Sequence, residues 1–181
     1  MGSHRTRGRA EDSNQCWKVT MNDKDYTEKA KQLFREAYHR QSEGELDAAV
    51  RLYRESIHCH PTAEAYTFLG WAYSFQGRYE DAIEECKKAI ETDPAFGNPY
   101  NDIGAYLVNL GQLDEAIPWL EKAATALRYE SYHYPHCNLG RVYMAKGMLK
   151  KSLEEFEKAL TIEPSYLFAR QAVEAIHLQL Q

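Results

Sequence analysis

The sequence lacks any long run of apolar residues, although 44% of its 181 residues are hydrophobic. No segment is therefore long and apolar enough to span a bilayer, and no apolar segment follows the basic N-terminus as a secretory signal peptide would require. The four cysteines are scattered without a Cys-x-x-Cys pair, which favours reduced thiols. We accordingly predict a cytoplasmic protein that does not insert into membranes.

The chain is also short of positive charge outside its first residues. Its formal net charge is −5, and residues 1–20 hold four basic against two acidic side chains, a local +2 that leaves −7 on the remainder. A nucleic-acid-binding surface needs a concentration of Lys and Arg. We therefore expect no nucleic-acid partner.

Motifs of the common catalytic and metal centres are missing as well. The sequence contains no G-x-S-x-G, no phosphate-binding P-loop and no H-E-x-x-H. Two stretches with histidine, residues 58–60 and 133–137, could offer metal ligands. Positions near helix ends and turns explain these histidines without a metal. We predict that the protein is not an enzyme and that it holds no cofactor and no metal.

A regular spacing of glycine is what the sequence does contain. Gly44, Gly77, Gly111 and Gly147 are 33, 34 and 36 residues apart. Small residues stand seven positions before each glycine (Ala37, Gly70, Gly104, Gly140), five after it (Ala49, Ala82, Ala116, Ser152) and twelve after it (Ser56, Ala89, Ala123, Ala159). Apolar residues follow a helical period between these positions, so each unit is predicted to be a helix, a glycine turn and a second helix.

Gly70 illustrates what the small positions do. It lies inside an apolar-periodic segment, where glycine costs roughly 1 kcal/mol relative to alanine. Two antiparallel helices can approach closely only where the facing residues are small, so we expect Gly70 to meet Ala82 across the hairpin. Gly77 should end the first helix in the left-handed conformation, and Pro94 should end the second.

The repeated pattern resembles the tetratricopeptide repeat (TPR) family, whose period is 34 residues. The second unit carries the family's signature at Tyr66, Leu69, Gly70, Tyr73, Gly77, Tyr79, Ala82, Cys86, Ala89 and Pro94. The third and fourth units match nearly as well. The first is weaker, because Arg40 stands where the other units have Tyr73, Leu107 and Tyr143.

The resemblance implies an all-α fold, a right-handed solenoid of four helix-turn-helix repeats with a C-terminal capping helix. The predicted segments are a disordered, tag-like leader (1–21), a repeat region (22–164) with units at about 30–61, 63–94, 97–128 and 133–164, and the capping helix (165–181). Two extra residues between units three and four, and Arg128 where the other units have proline, predict a longer turn there.

Residues one step around the helical wheel from the hairpin interior should face the concave groove of such a solenoid. The predicted binding residues are Phe34, Tyr38, Phe68, Trp71, Asn101, Asp102, Tyr134, Asn138 and Arg141. Aromatic rings beside amides suit a peptide, because rings bury area at low entropic cost and amides can bond an extended backbone. The alternative is that some rings are covered, Phe34 and Tyr38 by the N-terminal segment.

The resemblance implies a non-catalytic scaffold that binds an extended or helical segment of another protein. Self-association into a homo-oligomeric assembly is the alternative. TPR domains that clamp the C-terminal carboxylate of heat-shock chaperones use Lys, Asn and Arg on the groove helices. Here Phe34, Tyr38 and Phe68 occupy positions of that set, so we do not expect this subtype. Asn138 instead resembles the asparagine of TPR proteins that read a peptide backbone, and Asp102 takes its place in unit three.

Overall fold

The computed structural model describes residues 23–180, and the predicted leader lies outside this range. Within residues 23–180 the chain forms nine α-helices and no β-strand. The helices are α1 (Asp23–Ser42), α2 (Leu46–Cys59), α3 (Ala63–Phe75), α4 (Tyr79–Thr92), α5 (Asn98–Asn109), α6 (Leu113–Ala124), α7 (His133–Ala145), α8 (Leu149–Ile162) and α9 (Leu167–Leu180). None of these described helices is both long enough and apolar enough to cross a bilayer.

Consecutive helices pair as four antiparallel hairpins, α1 with α2, α3 with α4, α5 with α6 and α7 with α8, and α9 packs on α8. This confirms the predicted all-α solenoid of four hairpins with a capping helix. The first helix begins at Asp23, ahead of the predicted start of unit one near residue 30.

Each hairpin turns at the glycine that defined the repeat. Gly77 has a φ angle of +74°, in the left-handed region that side chains with a Cβ rarely adopt. The next amide, that of Arg78, then donates a hydrogen bond to the carbonyl of Tyr73 at 3.0 Å, which satisfies a carbonyl at the end of α3. The predicted role of Gly77 as the end of the first helix is confirmed.

Gly70 marks the closest approach of α3 and α4. A Cβ atom added at Gly70 would lie 2.9 Å from the carbonyl oxygen of Ala82 and 3.1 Å from the sulfur of Cys86. Real Cβ atoms are not found so close to a backbone oxygen, so only glycine allows this spacing. The predicted meeting of Gly70 and Ala82 is confirmed.

The equivalent glycines of the next two hairpins make room for larger side chains. A Cβ atom at Gly104 would lie 2.4 Å from a methyl carbon of Leu120, and one at Gly140 would lie 2.9 Å from the ring of Phe156. Leu120, Phe156 and Cys86 all stand nine residues after a turn glycine. The residue at this position therefore differs in size from hairpin to hairpin, whereas the residue it faces on the first helix is a glycine in each of these three hairpins.

The stack of hairpins bends toward its first helices. The first helices contact one another in order, α1 with α3, α3 with α5 and α5 with α7, whereas the second helices show no comparable series of contacts among residues 23–180. The first helices are therefore closer together and form the inner, concave side. Residues on their exposed faces line a common groove.

The connection between α6 and α7, residues 125–132, departs from the repeat. Residues Phe96 and Arg128 form an isolated parallel β-bridge, in which the Gly97 amide donates to the Arg128 carbonyl and the Arg128 amide donates to the Ala95 carbonyl, at 2.9 and 3.0 Å. A proline here, as in the other units, would have no N–H for the second bond. The longer turn that the spacing predicted is thus a folded-back segment.

The Arg128 side chain ties three parts of the chain together. Its guanidinium group pairs with Asp93 at 2.6 Å and with Glu64 at 2.8 Å, and it lies over the ring of Phe96, 4.1 Å from the ring centre. These contacts hold the segment 125–132 against the connection between α4 and α5. The segment is consequently placed beside the groove.

Gly70→Ala should destabilise the protein, although alanine is the better helix former. The added methyl group must push α3 away from the backbone of α4, and we expect the free energy of unfolding to fall by about 1–3 kcal/mol in chemical denaturation. Glu91→Ala, at an exposed position of α4, is the matched control and should change it by less than about 0.5 kcal/mol. Equal stability of Gly70→Ala and the parent would contradict the close approach.

Candidate functional site on the concave face

A row of aromatic rings covers the α1 and α3 side of the groove. Phe68 is at its centre, with ring-centre distances of 5.1 Å to Phe34, 5.8 Å to Tyr38 and 5.5 Å to Trp71, all in edge-to-face geometry. Tyr38 is 51% and Trp71 41% exposed, while Phe34 and Phe68 are half-buried beneath them. The row therefore presents two accessible rings on a packed aromatic base.

A ladder of polar side chains runs along the α5 and α7 side. Arg141 donates to the side-chain oxygen of Asn138 at 3.2 Å, and Asn138 donates to that of Asn101 at 3.0 Å. The amide nitrogen of Asn101 lies 3.4 Å from a carboxylate oxygen of Asp102. All four side chains are half-buried. An asparagine amide has two N–H groups and a carbonyl oxygen, so both asparagines keep capacity for further hydrogen bonds.

The two sides meet at a cleft of about 330 Å³. The cleft is lined by Thr67, Phe68, Trp71, Asn98, Asn101, Asp102, Tyr129, Ser131 and Tyr134. Five of the nine predicted binding residues belong to this lining. Of the other four, Phe34 and Tyr38 adjoin it through Phe68, and Asn138 and Arg141 adjoin it through Asn101. The structure brings all nine together on one surface.

Four residues of the lining are not among the nine predicted binding residues: Thr67 on α3, Asn98 on α5, and Tyr129 and Ser131. Tyr129 and Ser131 belong to the folded-back segment between α6 and α7. A helical wheel assigns directions only to helical residues, so it could not place them in the groove. The signal that pointed to them was indirect: the two extra residues of this connection and Arg128 at the proline position.

One of the two histidine stretches, residues 133–137, has a structural role in the fourth hairpin. Within residues 23–180, no three His, Cys, Asp or Glu side chains converge as a metal site would require. His136 pairs with Glu155 at 2.7 Å across α7 and α8, and Lys158 pairs with the same carboxylate at 2.6 Å. Burial acts to raise the pKa of Glu155, but the hydrogen bonds from His136 and Lys158 outweigh it and hold that pKa below its ordinary value.

Comparison with known families identifies the architecture. Three sequence models, each described as "Tetratricopeptide repeat", match residues 63–96, 85–117 and 133–166. The chain belongs to the tetratricopeptide repeat family. This confirms the predicted family, and the matches include the second and fourth hairpins that the glycine spacing defined.

Relatives and solved structures agree with this assignment. The TPR chain is 32% identical over 95 residues to small glutamine-rich tetratricopeptide repeat-containing protein 2 of Mycosarcoma maydis, covering 52% of this chain and 27% of the relative. It is 25% identical over 148 residues to mitochondrial import receptor subunit TOM70 of Rattus norvegicus, covering 81% and 23%. The chain thus spans about a quarter of the length of these relatives.

A structure of Pseudomonas aeruginosa PilF superimposes on this chain with a TM-score of 0.79 at 20% identity, covering 85% of this chain and 70% of that one. At this identity the likeness concerns the fold alone. It supports the TPR solenoid as the scaffold that carries the groove.

Asp102 is the groove residue with an unusual electrostatic environment. Burial raises the pKa of its carboxyl group to about 7, and the hydrogen bond from Asn101 opposes this shift only in part. The nearby Cys86, Tyr106 and Tyr129 all have a pKa raised by burial, so none of them titrates between pH 4 and 8. Near neutral pH, Asp102 therefore exchanges between its protonated and ionised forms.

Asp102→Asn should stabilise the TPR domain relative to the parent, and more strongly above neutral pH than below it. The folded state holds the Asp102 proton more tightly than the unfolded state, so the parent loses stability as pH rises from about 4 through about 7. An uncharged amide removes this loss. We expect the stabilisation by Asp102→Asn to be about 2 kcal/mol larger at pH 8 than at pH 5, measured by urea denaturation.

Glu115→Gln is the control for this measurement, because Glu115 is an exposed carboxylate on α6. Its effect should be the same at both pH values. A pH-independent effect of Asp102→Asn would show that the Asp102 carboxylate is ordinarily solvated and would contradict the raised pKa.

Proposed function

We propose that this TPR chain is a non-catalytic interaction scaffold that holds an extended or helical segment of a partner protein in its concave groove. TPR proteins generally act by binding other proteins, and the relative TOM70 is a subunit of a mitochondrial import receptor. The proposal for this chain rests on its own groove residues.

The observation that carries the proposal is the placement of exposed rings and an amide ladder on the two sides of one cleft. The rings of Tyr38 and Trp71 are already ordered by edge-to-face contacts with Phe68, so binding against them costs little additional side-chain entropy. The amides of Asn101 and Asn138 are held by each other, and each can still pair with a peptide N–H or C=O group.

The composition of the cleft supports binding rather than catalysis. Its described lining consists of aromatic, amide, hydroxyl and carboxyl side chains, and includes no histidine, cysteine or lysine. A hydroxyl nucleophile needs a base within hydrogen-bond reach. Among the described residues, the side chain of Asp102 is paired with Asn101, and the hydroxyl of Thr67 donates to the Ala63 carbonyl. This lining favours a ligand recognised through packing and hydrogen bonds.

The cysteines support a reducing, cytoplasm-like setting for this binding. Cys59, Cys86 and Cys137 are free thiols, and the last two are buried within the hairpins. Burial raises the pKa of Cys137 to about 12, which makes it a packing residue and not a reactive thiolate. Unpaired buried thiols are the usual state of cysteine in a reducing compartment.

Combined Trp71→Ala, Asn138→Ala and Arg141→Ala should abolish groove binding while the chain stays helical. Peptides would be selected from a random library displayed on phage against the full chain, and their affinities measured by fluorescence anisotropy. We expect the triple variant to bind the selected peptides with an affinity more than about a hundredfold lower than that of the parent, because a ring contact and two polar contacts are lost together.

The control is the triple variant Glu84→Ala, Lys87→Ala and Glu91→Ala, which changes three exposed residues of α4. It should leave peptide affinity unchanged. Peptides that bind both triple variants equally well would place the binding surface outside the groove and refute the proposal. A library that yields no binding peptide would count against it in the same way.

Self-association is a second candidate function, favoured by the surface of α9. Four large apolar residues of this helix are exposed: Leu167 by 62%, Phe168 by 41%, Leu178 by 75% and Leu180 by 46%. Leu167 and Leu178 are close to three helical turns apart and therefore share one face. A second copy of the chain could cover this apolar face.

Light scattering over a concentration series tests this candidate. If α9 pairs two copies, the mass should rise with concentration above the 20.9 kDa of one chain. The double variant Leu167→Lys and Leu178→Lys should then have the mass of one chain at every concentration. Leu127→Lys, at a position that is 91% exposed in the connection 125–132, is the control and should not change the mass. A mass of one chain at every concentration would exclude self-association.

A further inference from the structure

The carboxyl group of Asp102 lies in the groove without a matching positive charge. Among residues 23–180 it takes part in no ion pair, and its hydrogen-bond partner is the neutral amide of Asn101 at 3.4 Å. A carboxylate has two oxygens and room for about four hydrogen bonds. Partly buried carboxylates are normally paired, so most of the capacity of Asp102 is left for something outside the described chain.

Four aromatic rings line the same cleft as this carboxyl group. Phe68 and Trp71 belong to α3, Tyr134 to α7, and Tyr129 to the segment 125–132. Trp71 is 41% and Tyr134 43% exposed, whereas Tyr129 is buried. The face of an aromatic ring attracts a cation through its negative electrostatic potential. Carboxylate and rings therefore favour the same kind of ligand group, a positively charged one.

The chain's own arginines near the cleft are engaged elsewhere. Arg141 bonds to Asn138, and two asparagines separate it from Asp102 along the ladder. Arg128 is held by Asp93 and Glu64. Neither guanidinium group neutralises Asp102. The attraction for a cation is thus available to a ligand.

We infer that the Asp102 cleft is a subsite for a basic side chain of the bound segment, with arginine preferred to lysine. This inference rests on the proposed function, since it names the side chain that the groove selects. A guanidinium group is planar: it can bond a carboxylate with two parallel N–H groups and stack on rings such as Trp71 and Tyr134. A lysine ammonium group carries the charge, but it cannot form the two parallel hydrogen bonds and has no planar group to stack on a ring.

The charge of the whole domain acts in the same direction. Outside residues 1–20 the chain carries a formal net charge of −7, because the first twenty residues hold a local +2 within a total of −5. A negative field of this kind raises the encounter rate of basic segments. It selects for positive charge in general, whereas Asp102 and the rings select its position.

Titration with small arginine compounds tests the subsite directly. The full chain would be titrated near pH 8, where Asp102 is mostly ionised, with N-acetyl-arginine amide and with N-acetyl-citrulline amide, its uncharged isostere. The readout is the NMR signal of the Trp71 indole N–H, assigned with Trp71→Phe. We expect a saturable shift with arginine and affinity at least about tenfold weaker with citrulline, as suits a desolvated charge contact.

Asp102→Asn is the decisive variant, since it keeps the shape of the side chain and removes its charge. The variant should bind the arginine compound only as weakly as the parent binds the citrulline compound, and its affinity for the citrulline compound should equal that of the parent. The N-acetyl-lysine amide should bind the parent more weakly than the arginine compound. Circular dichroism would verify that the variant remains helical, and Glu115→Gln should bind as the parent does.

Equal binding of arginine and citrulline, a preference that survives Asp102→Asn, or shifts that never saturate would each overturn the inference. These results are independent of the phage selection. Selected peptides that bind the groove without any basic residue would leave the proposed function standing and remove the arginine subsite. If the arginine compound bound at Asp102 but no peptide bound the groove, the cleft would keep its preference for arginine and the proposed function would be refuted.

Discussion

The concave surface depends on how closely the two helices of each hairpin approach one another. In the second hairpin this distance is set by the contact of Gly70 with the backbone oxygen of Ala82, where even a methyl group would be too large. Beside these hairpins, successive first helices contact one another, so α1, α3, α5 and α7 lie along one groove. The glycine thus costs some helix stability locally and allows the close hairpin from which the groove is built.

The groove that results is ordered before any ligand arrives. Its rings pack edge to face around Phe68, and its amides bond to each other between α5 and α7. Preordering of this kind lowers the entropic cost of binding. Asp102 is the exception, because its carboxyl group is partly buried without a counter-charge and costs stability once it ionises. This cost in the free protein is one reason for the proposal that Asp102 contributes to binding.

Much of this structure could be predicted from the sequence because the same pattern of residues occurs four times along the chain. The spacing of Gly44, Gly77, Gly111 and Gly147 located the turns, and the small residues around them located the hairpin contacts. The direction of side chains on the first helices followed from the helical period, since 3.6 residues per turn relate each groove position to the next. The nine predicted residues accordingly lie on one surface.

What the periodicity determined is the set of helices, their pairing and the faces they present, because these depend on local spacing along the chain. What only the tertiary structure decided lies between the repeats. The β-bridge of Arg128 brings Tyr129 and Ser131 to the groove, and it depends on contacts with residues some thirty positions earlier. The ladder from Arg141 to Asp102 and the raised pKa at its end likewise depend on how α5 and α7 are placed. The distances between residues of different repeats, and the burial of those residues, arise from tertiary packing. The neighbours of a residue along the chain do not specify this packing.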